Sequence, residues 1–417
     1  MTLPEAGPER YSVATATSLT AAGMMAMNVL VYAFTLAASR LLGPQQFGGV
    51  SAFLAVLMVA NVGALALQAT AARRIATSPK GQRDEVAHDV IVSTWHVALG
   101  LGVLFTLATP VFMATLHTPL LASLVVGLTV GPLTMIGGYL GVLQGSRQWR
   151  WLAVTFISIG VGRAGLGILG IVIGDDLNGA MIGVFLGALV PALIGWWGCR
   201  HVPHGAVGRH HGVLREVWHN GHSLLAFFIV TNLDVLVARN QFSHFESGVY
   251  AAGSILTKTC LFLPQFVIIV AFPKMAQDQA INDQDKAWLK PLGAVAALGA
   301  CAVAGCFVLR DLAVQFVGGS EYDALAAYAW LFTLEGTVFA VLQMVVYRQI
   351  ARQAHVAVWL WLTAVAIAAL GIGFADGNRM LVSLVMGTVA VAAVPVVLAR
   401  PSGRAAMAPS PLTPPAA

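Results

Sequence analysis

The sequence predicts an all-α polytopic membrane protein of about twelve transmembrane helices. They are expected as two six-helix lobes related by a pseudo-two-fold along the membrane normal. Three observations predict this: the apolar composition, the sidedness of Lys and Arg, and a weak internal repeat. Of 417 residues, 58% are hydrophobic and only 10% charged, and the mean hydropathy is +0.79. Apolar runs of about 18 residues or more recur along the chain, each long enough to cross a bilayer. A soluble fold could not hide so much apolar surface.

The spans are placed at about 15–39, 46–71, 90–114, 119–143, 151–173, 178–199, 222–241, 247–272, 290–309, 322–346, 355–374 and 380–399. The first apolar stretch is too long for a signal-peptide core and lacks a cleavage site, so it is read as a span. With the N-terminus inside, Arg40, Arg239, Arg310 and Arg379 fall at or near the outer side. Arg163 and Lys258 fall within spans, and every other Lys and Arg falls inside. A missed or extra helix would spoil this bias. Both termini are therefore expected in the cytoplasm, and the net charge of +5 reads as a topology signal, with no nucleic-acid partner.

A second unit that follows six spans enters the membrane in the orientation of the first, which suits a parallel repeat. "QFGGVSAF" at Gln46–Phe53 aligns with "ESGVYAAG" at Glu246–Gly253, and "ARRIA" at Ala72–Ala76 with "FPKMA" at Phe272–Ala276. Arg147-Gln148 likewise resembles Arg352-Gln353. The lobes are placed at 1–200 and 222–400. A His-rich cytoplasmic linker at 201–221 joins them, and a Pro/Ala-rich tail at 401–417 is expected to be disordered. The linker has no carboxylate or Cys at ligand spacing, so no metal site is assigned. Cys199, Cys260, Cys301 and Cys306 all lie in or beside spans, where they read as small packing residues.

Ionisable groups inside spans usually face a cavity or a partner. Arg163, Lys258, Glu335 and Asp234 fall near the middle of spans five, eight, ten and seven. Two readings stand at this stage. The cations could attract an anionic substrate while the acids handle a coupling ion, or the four could form static pairs, Arg163–Glu335 or Lys258–Asp234. Arg239 and Glu246 fall at the outer interface. Polar stripes at helical spacing add Asn28, Tyr32, Thr35 and Ser39 on span one, Asn61 and Gln68 on span two, and Ser254, Lys258 and Gln265 on span eight. Ordinary interhelical hydrogen bonding explains such stripes equally well. Gly160, Gly162, Gly165, Gly167 and Gly170 surround Arg163, suited to close packing or to a bending point. Gly183-x-x-x-Gly187 reads as a packing site.

The stretches "SRLLGPQQFGGVSAF", "NLDVLVARNQFSHFESGVYAAGSIL" and "FPKMA" resemble the polysaccharide-flippase family. These are the Wzx-type lipid-linked oligosaccharide translocases of the multidrug/oligosaccharidyl-lipid/polysaccharide exporter superfamily. The resemblance rests on Arg40, Gly43, Pro44, Phe47 and Gly48 after span one, on Asp234 in span seven, on Gly248-Val249-Tyr250 opening span eight, and on Pro273 ending it. Arg239 departs from the pattern, since members often carry a small residue there; span seven is also short.

The resemblance implies a transporter, not an enzyme. It would flip a polyprenyl-(pyro)phosphate-linked oligosaccharide from the cytoplasmic to the outer leaflet of the bacterial plasma membrane by alternating access, for cell-envelope polysaccharide synthesis. Its partners would be the lipid-linked glycan, membrane lipids, and proteins of glycan synthesis and polymerisation. The expected substrate contacts are Arg163, Lys258, Arg239, Asn28, Gln68 and Gln265. Asp234 and Glu335 are the expected coupling-ion residues, for H⁺ or Na⁺, and no other cofactor is expected. One rival is an ion-coupled drug or cation antiporter of the same superfamily, which would favour acidic and aromatic cavity residues. Another is a membrane glycan polymerase or glycosyltransferase, but the outer loops are short for one. The chain also lacks a phosphate-binding G-x-x-x-x-G-K-[ST] loop.

Overall fold

The computed structural model describes residues 13–200, 202, 213–262, 289–351 and 356–398. All regular structure among these residues is helical. Gln265, Pro273, the "FPKMA" segment, Arg352-Gln353, most of the His-rich linker and the tail lie outside the described residues.

The chain divides into two compact units, Met1–Gly221 and His222–Ala417. The first opens with α1, Val13–Thr77, 65 residues in length. A straight helix of that length would measure roughly 100 Å, about three times a bilayer core. It breaks at Gly43, which takes φ 64° ahead of Pro44. Glycine tolerates the left-handed φ, and proline brings no N–H to carry the ladder on. Two arms result, each long enough to cross.

α2 (Arg83–Leu107) carries Asp84 and Glu85 in its first turn, where the helix dipole favours negative charge. A break at Ala108 separates it from α3 (Thr109–Leu116). α4 is Leu120–Gly145, α5 Trp149–Gly174 and α6 Leu177–Cys199. Asp175 ends α5 in the left-handed region, and the Asp176 side chain caps α6 by accepting from the Gly179 N–H at 2.7 Å.

α5 is held between two helices through glycine. A Cβ at Gly160 would lie 2.8 Å from Leu30 of α1, and one at Gly167 would lie 2.5 Å from the Phe34 ring. Turned toward α6, Gly162 and Gly170 meet the carbonyls of Gly187 and Gly179, while Gly183 meets that of Leu166. Small residues let the backbones touch, which drives packing where the surrounding lipid removes the hydrophobic force between helices.

α7 (Val213–Val230) runs across the boundary into the second unit, and its Gly221–Val230 part is bent by 42° from α8 (Leu233–Gln241) across Thr231 and Asn232. α9 (His244–Leu261) opens with a capping box: Ser243 receives the Glu246 N–H, and the Glu246 carboxylate receives the Ser243 N–H. α10 (Leu289–Val308), α11 (Arg310–Val317), a 3₁₀ turn at Ser320–Leu325, α12 (Ala329–Ala351), α13 (Ala357–Phe374) and α14 (Asn378–Leu398) complete the unit. Gly336 of α12 sits against the Thr257 carbonyl of α9, and Gly253 of α9 against the Phe332 ring.

Leu107, Val172, Ile173, Leu193 and Val391 expose between 62% and 76% of their surface, as expected of side chains turned to lipid. Among the described residues nine helices are long and apolar enough to cross a membrane, ten with the bent pair. The twelve expected spans differ from this for local reasons. α1 fuses two of them. The described part of α9 ends at Leu261 and carries Lys258 among polar neighbours. Span seven, expected at 222–241, is the bent pair Gly221–Val230 and Leu233–Gln241, which passes as a span only when its halves are taken together. The chain is a multi-span membrane protein.

Candidate functional site

The break between α7 and α8 organises the charged cluster of the second unit. "TNLD" at Thr231–Asp234 places cap-forming residues inside an apolar run. Such side chains bond to nearby backbone and compete with the helical ladder. Thr231 and Asn232 are each 1% exposed. Asn232 Nδ2 donates to the Phe228 carbonyl at 2.7 Å, and Thr231 Oγ1 to that of Phe227 at 3.1 Å. The Phe228 carbonyl at the end of α7 is thereby met from within the turn, while that of Phe227 also accepts the Thr231 N–H.

From α9, Lys258 reaches the same point. Its Nζ donates to the Thr231 carbonyl and, at 2.9 Å, to Asn232 Oδ1. An ammonium thus lies at the C-terminal end of one half-helix, where the dipole is negative. Asp234 stands in the first turn of the next, where the dipole is positive.

Asp234 is fully enclosed. Its Oδ2 accepts from the Tyr250 hydroxyl at 3.2 Å, and Oδ1 has no hydrogen-bond partner among the described residues. Glu335, on α12, is 0% exposed. Its Oε2 lies 2.9 Å from Thr257 Oγ1, a hydroxyl also 3.0 Å from the Phe332 carbonyl, and Oε1 has no partner among the same residues. That hydroxyl carries one proton and satisfies one acceptor at a time. The Tyr250 and Phe332 rings meet edge to face at 4.9 Å, which fixes the phenol beside Asp234.

Asp234, Glu335 and Lys258 interact electrostatically. Two carboxyls face one ammonium, so the cluster falls one positive charge short of neutrality when both acids are ionised. Buried charge of this kind is costly unless compensated. Of the static pairs considered from sequence, Lys258–Asp234 does not form: the ammonium turns to the helix break instead.

The first unit holds the other cation. Arg163 lies on α5 with its guanidinium 5.8 Å from the centre of the Phe34 ring on α1. Its Nε is buried without a partner among the described residues. Cation–π attraction holds the group in place and leaves that N–H donor unspent. Gln68 Nε2 donates to Gln144 Oε1 of α4 at 3.2 Å, and Asn28 is half-buried on the first arm of α1. Gln68 is thus tied to α4 and not to Arg163.

Arg239, in the last turn of α8, is 4% exposed, and its Nη1 donates to Ser247 Oγ at 3.2 Å. The tight α8–α9 hairpin folds Ser247 back over it. Glu246 is exposed in its capping role. Sequence reading missed Thr231, Asn232 and Thr257, and it took Tyr250 only as part of a helix-opening motif. The Thr-Asn pair inside a span was the signal for the break.

Among curated proteins, none matches the chain. Solved structures do. A lipid II flippase, MurJ, in an inward closed conformation aligns with a TM-score of 0.72 and 11% identity over 91% of this chain and 87% of that one. A multidrug resistance MATE transporter of the MOP superfamily, inward-facing, aligns with a TM-score of 0.65 and 14% identity over 88% and 92%. The MATE multidrug transporter DinF-BH aligns with a TM-score of 0.59 and 14% identity over 95% and 97%. The fold is that of the MOP-superfamily transporters. The sequence profile described as "Polysaccharide biosynthesis protein" matches residues 13–279, from α1 through α9, and the chain belongs to that family.

Proposed function

We propose that the protein flips a polyprenyl-(pyro)phosphate-linked oligosaccharide across the bacterial cytoplasmic membrane by alternating access. One observation carries the reading. Arg163 and Lys258 are both cations set within spans, and neither forms an ion pair with a carboxylate among the described residues. The Arg163 charge is therefore open to an anion, whereas that of Lys258 also faces the Asp234 and Glu335 carboxyls. A lipid-linked glycan brings an anion, as phosphate or pyrophosphate, and a guanidinium fork suits phosphate oxygens. Lys258 spends two of its three donors on the break and keeps one. Membership of the polysaccharide biosynthesis family and the likeness to a lipid II flippase support the substrate class.

The acid pair supplies the coupling. Uptake of one proton or one Na⁺ by Asp234 and Glu335 neutralises the cluster, and release restores its negative charge. The test is deletion of the gene, followed by leaflet-resolved labelling of lipid-linked glycan. Accumulation on the cytoplasmic leaflet, reversed by the wild-type gene, is the expected result. Unchanged distribution would refute the reading.

A further inference from the structure

A second polar site lies within the second unit, apart from the charged cluster. It is a pocket of about 550 Å³ where the start of α9, the turn before α12 and the α13–α14 turn converge, lined by Phe245, Glu246, Tyr328, Asp376, Asn378 and Arg379 among others. That volume falls within the range of small-ligand sites, about 300–1,000 Å³. By the Lys/Arg bias of the sequence this end of the unit faces outward.

The pocket is tied together by Asn378. Its Nδ2 donates to the Glu246 carbonyl at 2.8 Å and reaches the Tyr328 hydroxyl at 3.4 Å. The residue is only 9% exposed, and its Oδ1 is buried with no partner among the described residues. A buried acceptor left unmet costs stability until a donor arrives. Asp376 and Arg379 flank Asn378, bear opposite charges, and take no part in an ion pair among the described residues. Phe245 is 41% exposed, and burial holds the Tyr328 phenol above its ordinary range, so it stays a neutral hydroxyl that both donates and accepts.

This lining discriminates between ligand classes. A simple anion would meet Glu246 and Asp376, a simple cation would meet Arg379, and an apolar ligand would strand the polar groups of Asp376, Asn378 and Arg379. A sugar ring fits all of them. Its hydroxyls donate and accept toward planar carboxylate, amide and guanidinium groups, and its C–H face packs on an aromatic ring.

We infer that this pocket is a saccharide-binding subsite that takes one or two neutral hexose units of a glycan at the outer mouth of the second unit. Its ligand class rests on the function proposed above. The unmet Asn378 Oδ1 receives a sugar hydroxyl, Asp376 and Arg379 grip adjacent hydroxyls, and Phe245 and Tyr328 present the ring surfaces.

The test is saturation-transfer NMR on the full chain in lipid nanodiscs, with methyl α-glucoside, galactose and N-acetylglucosamine as probes. Saturation should pass to the ring protons of at least one sugar and be lost in Asp376→Ala/Arg379→Ala, two changes in the turn and first helical residues that leave the helix cores intact. Phe245→Ala should reduce the signal at least twofold. No transfer to any of the three probes, or full transfer in the double variant, overturns the site. The outcome separates from that of the flippase reading. Sugar binding alongside an undisturbed lipid-linked glycan in the deletion strain would refute flipping alone. Cytoplasmic accumulation in that strain without sugar binding would refute the subsite alone.

Discussion

Lys258 of α9 donates its ammonium proton to the carbonyl of Thr231, the residue at which the preceding membrane helix breaks. A cation from one helix thus stabilises the discontinuity of another. Removing it should do two things at once. Lys258→Ala is expected to abolish glycan export while leaving membrane insertion intact, because both the midplane charge and the tie at the break are lost. Lys258→Arg keeps the charge and should retain part of the export. Leaflet-resolved labelling of the glycan reads both, and wild-type export by Lys258→Ala would refute a role in transport.

Arg163 is held by an aromatic face, so its truncation leaves no carboxylate stranded. Arg163→Ala should fold normally and lower export at least tenfold. Arg163→Lys should recover little, since a point charge lacks the fork that grips two phosphate oxygens. Equal export by Arg163→Ala and wild type would remove this residue from the substrate path.

Asp234→Asn and Glu335→Gln preserve shape and delete charge. Each is expected to leave substrate binding intact and to uncouple flipping from an imposed pH or Na⁺ gradient in proteoliposomes. Gradient-driven flipping at the wild-type rate in both variants would assign the acids a purely structural role.

Gly187 should tolerate no side chain. A Cβ there would fall 2.5 Å from the Gly162 carbonyl, so Gly187→Leu forces α5 and α6 apart. Overpacking of this kind costs about 1–3 kcal/mol or more. The yield of folded protein should fall and the melting temperature in detergent should drop; an unchanged melting temperature would count against the packing role.

The capping box offers a milder change. Ser243→Ala removes the acceptor of the Glu246 N–H, a loss of about 1 kcal/mol. The expected result is a small drop in melting temperature with export unchanged.

Fold class was legible because it rests on long-range averages: hydropathy along the chain and the sidedness of Lys and Arg. Asp234, Lys258 and Glu335 were also legible, since charge inside a span stands out against apolar neighbours. Their partners were not. Tyr250 meets Asp234 across a hairpin, and Thr257 meets Glu335 across 78 residues of chain; nothing in either residue's local surroundings announces it. The burial of Arg239 was not legible from its place near a span's end. Burial there depends on the turn that brings Ser247 over it. The bend at Thr231–Asn232 was hidden by the apolar residues on either side, which satisfy a hydropathy window whether the helix is straight or broken.

The glycine contacts on both sides of α5 carry a mechanical consequence. A helix whose backbone touches two neighbours cannot slide or rotate against either without driving side chains into main chain. The first arm of α1 and helices α5 and α6 must then shift together in any change of state. Arg163 rides on that block beside Phe34, so its charge keeps a fixed position within the moving part. It works like a depth mark, carried with the block in any such shift.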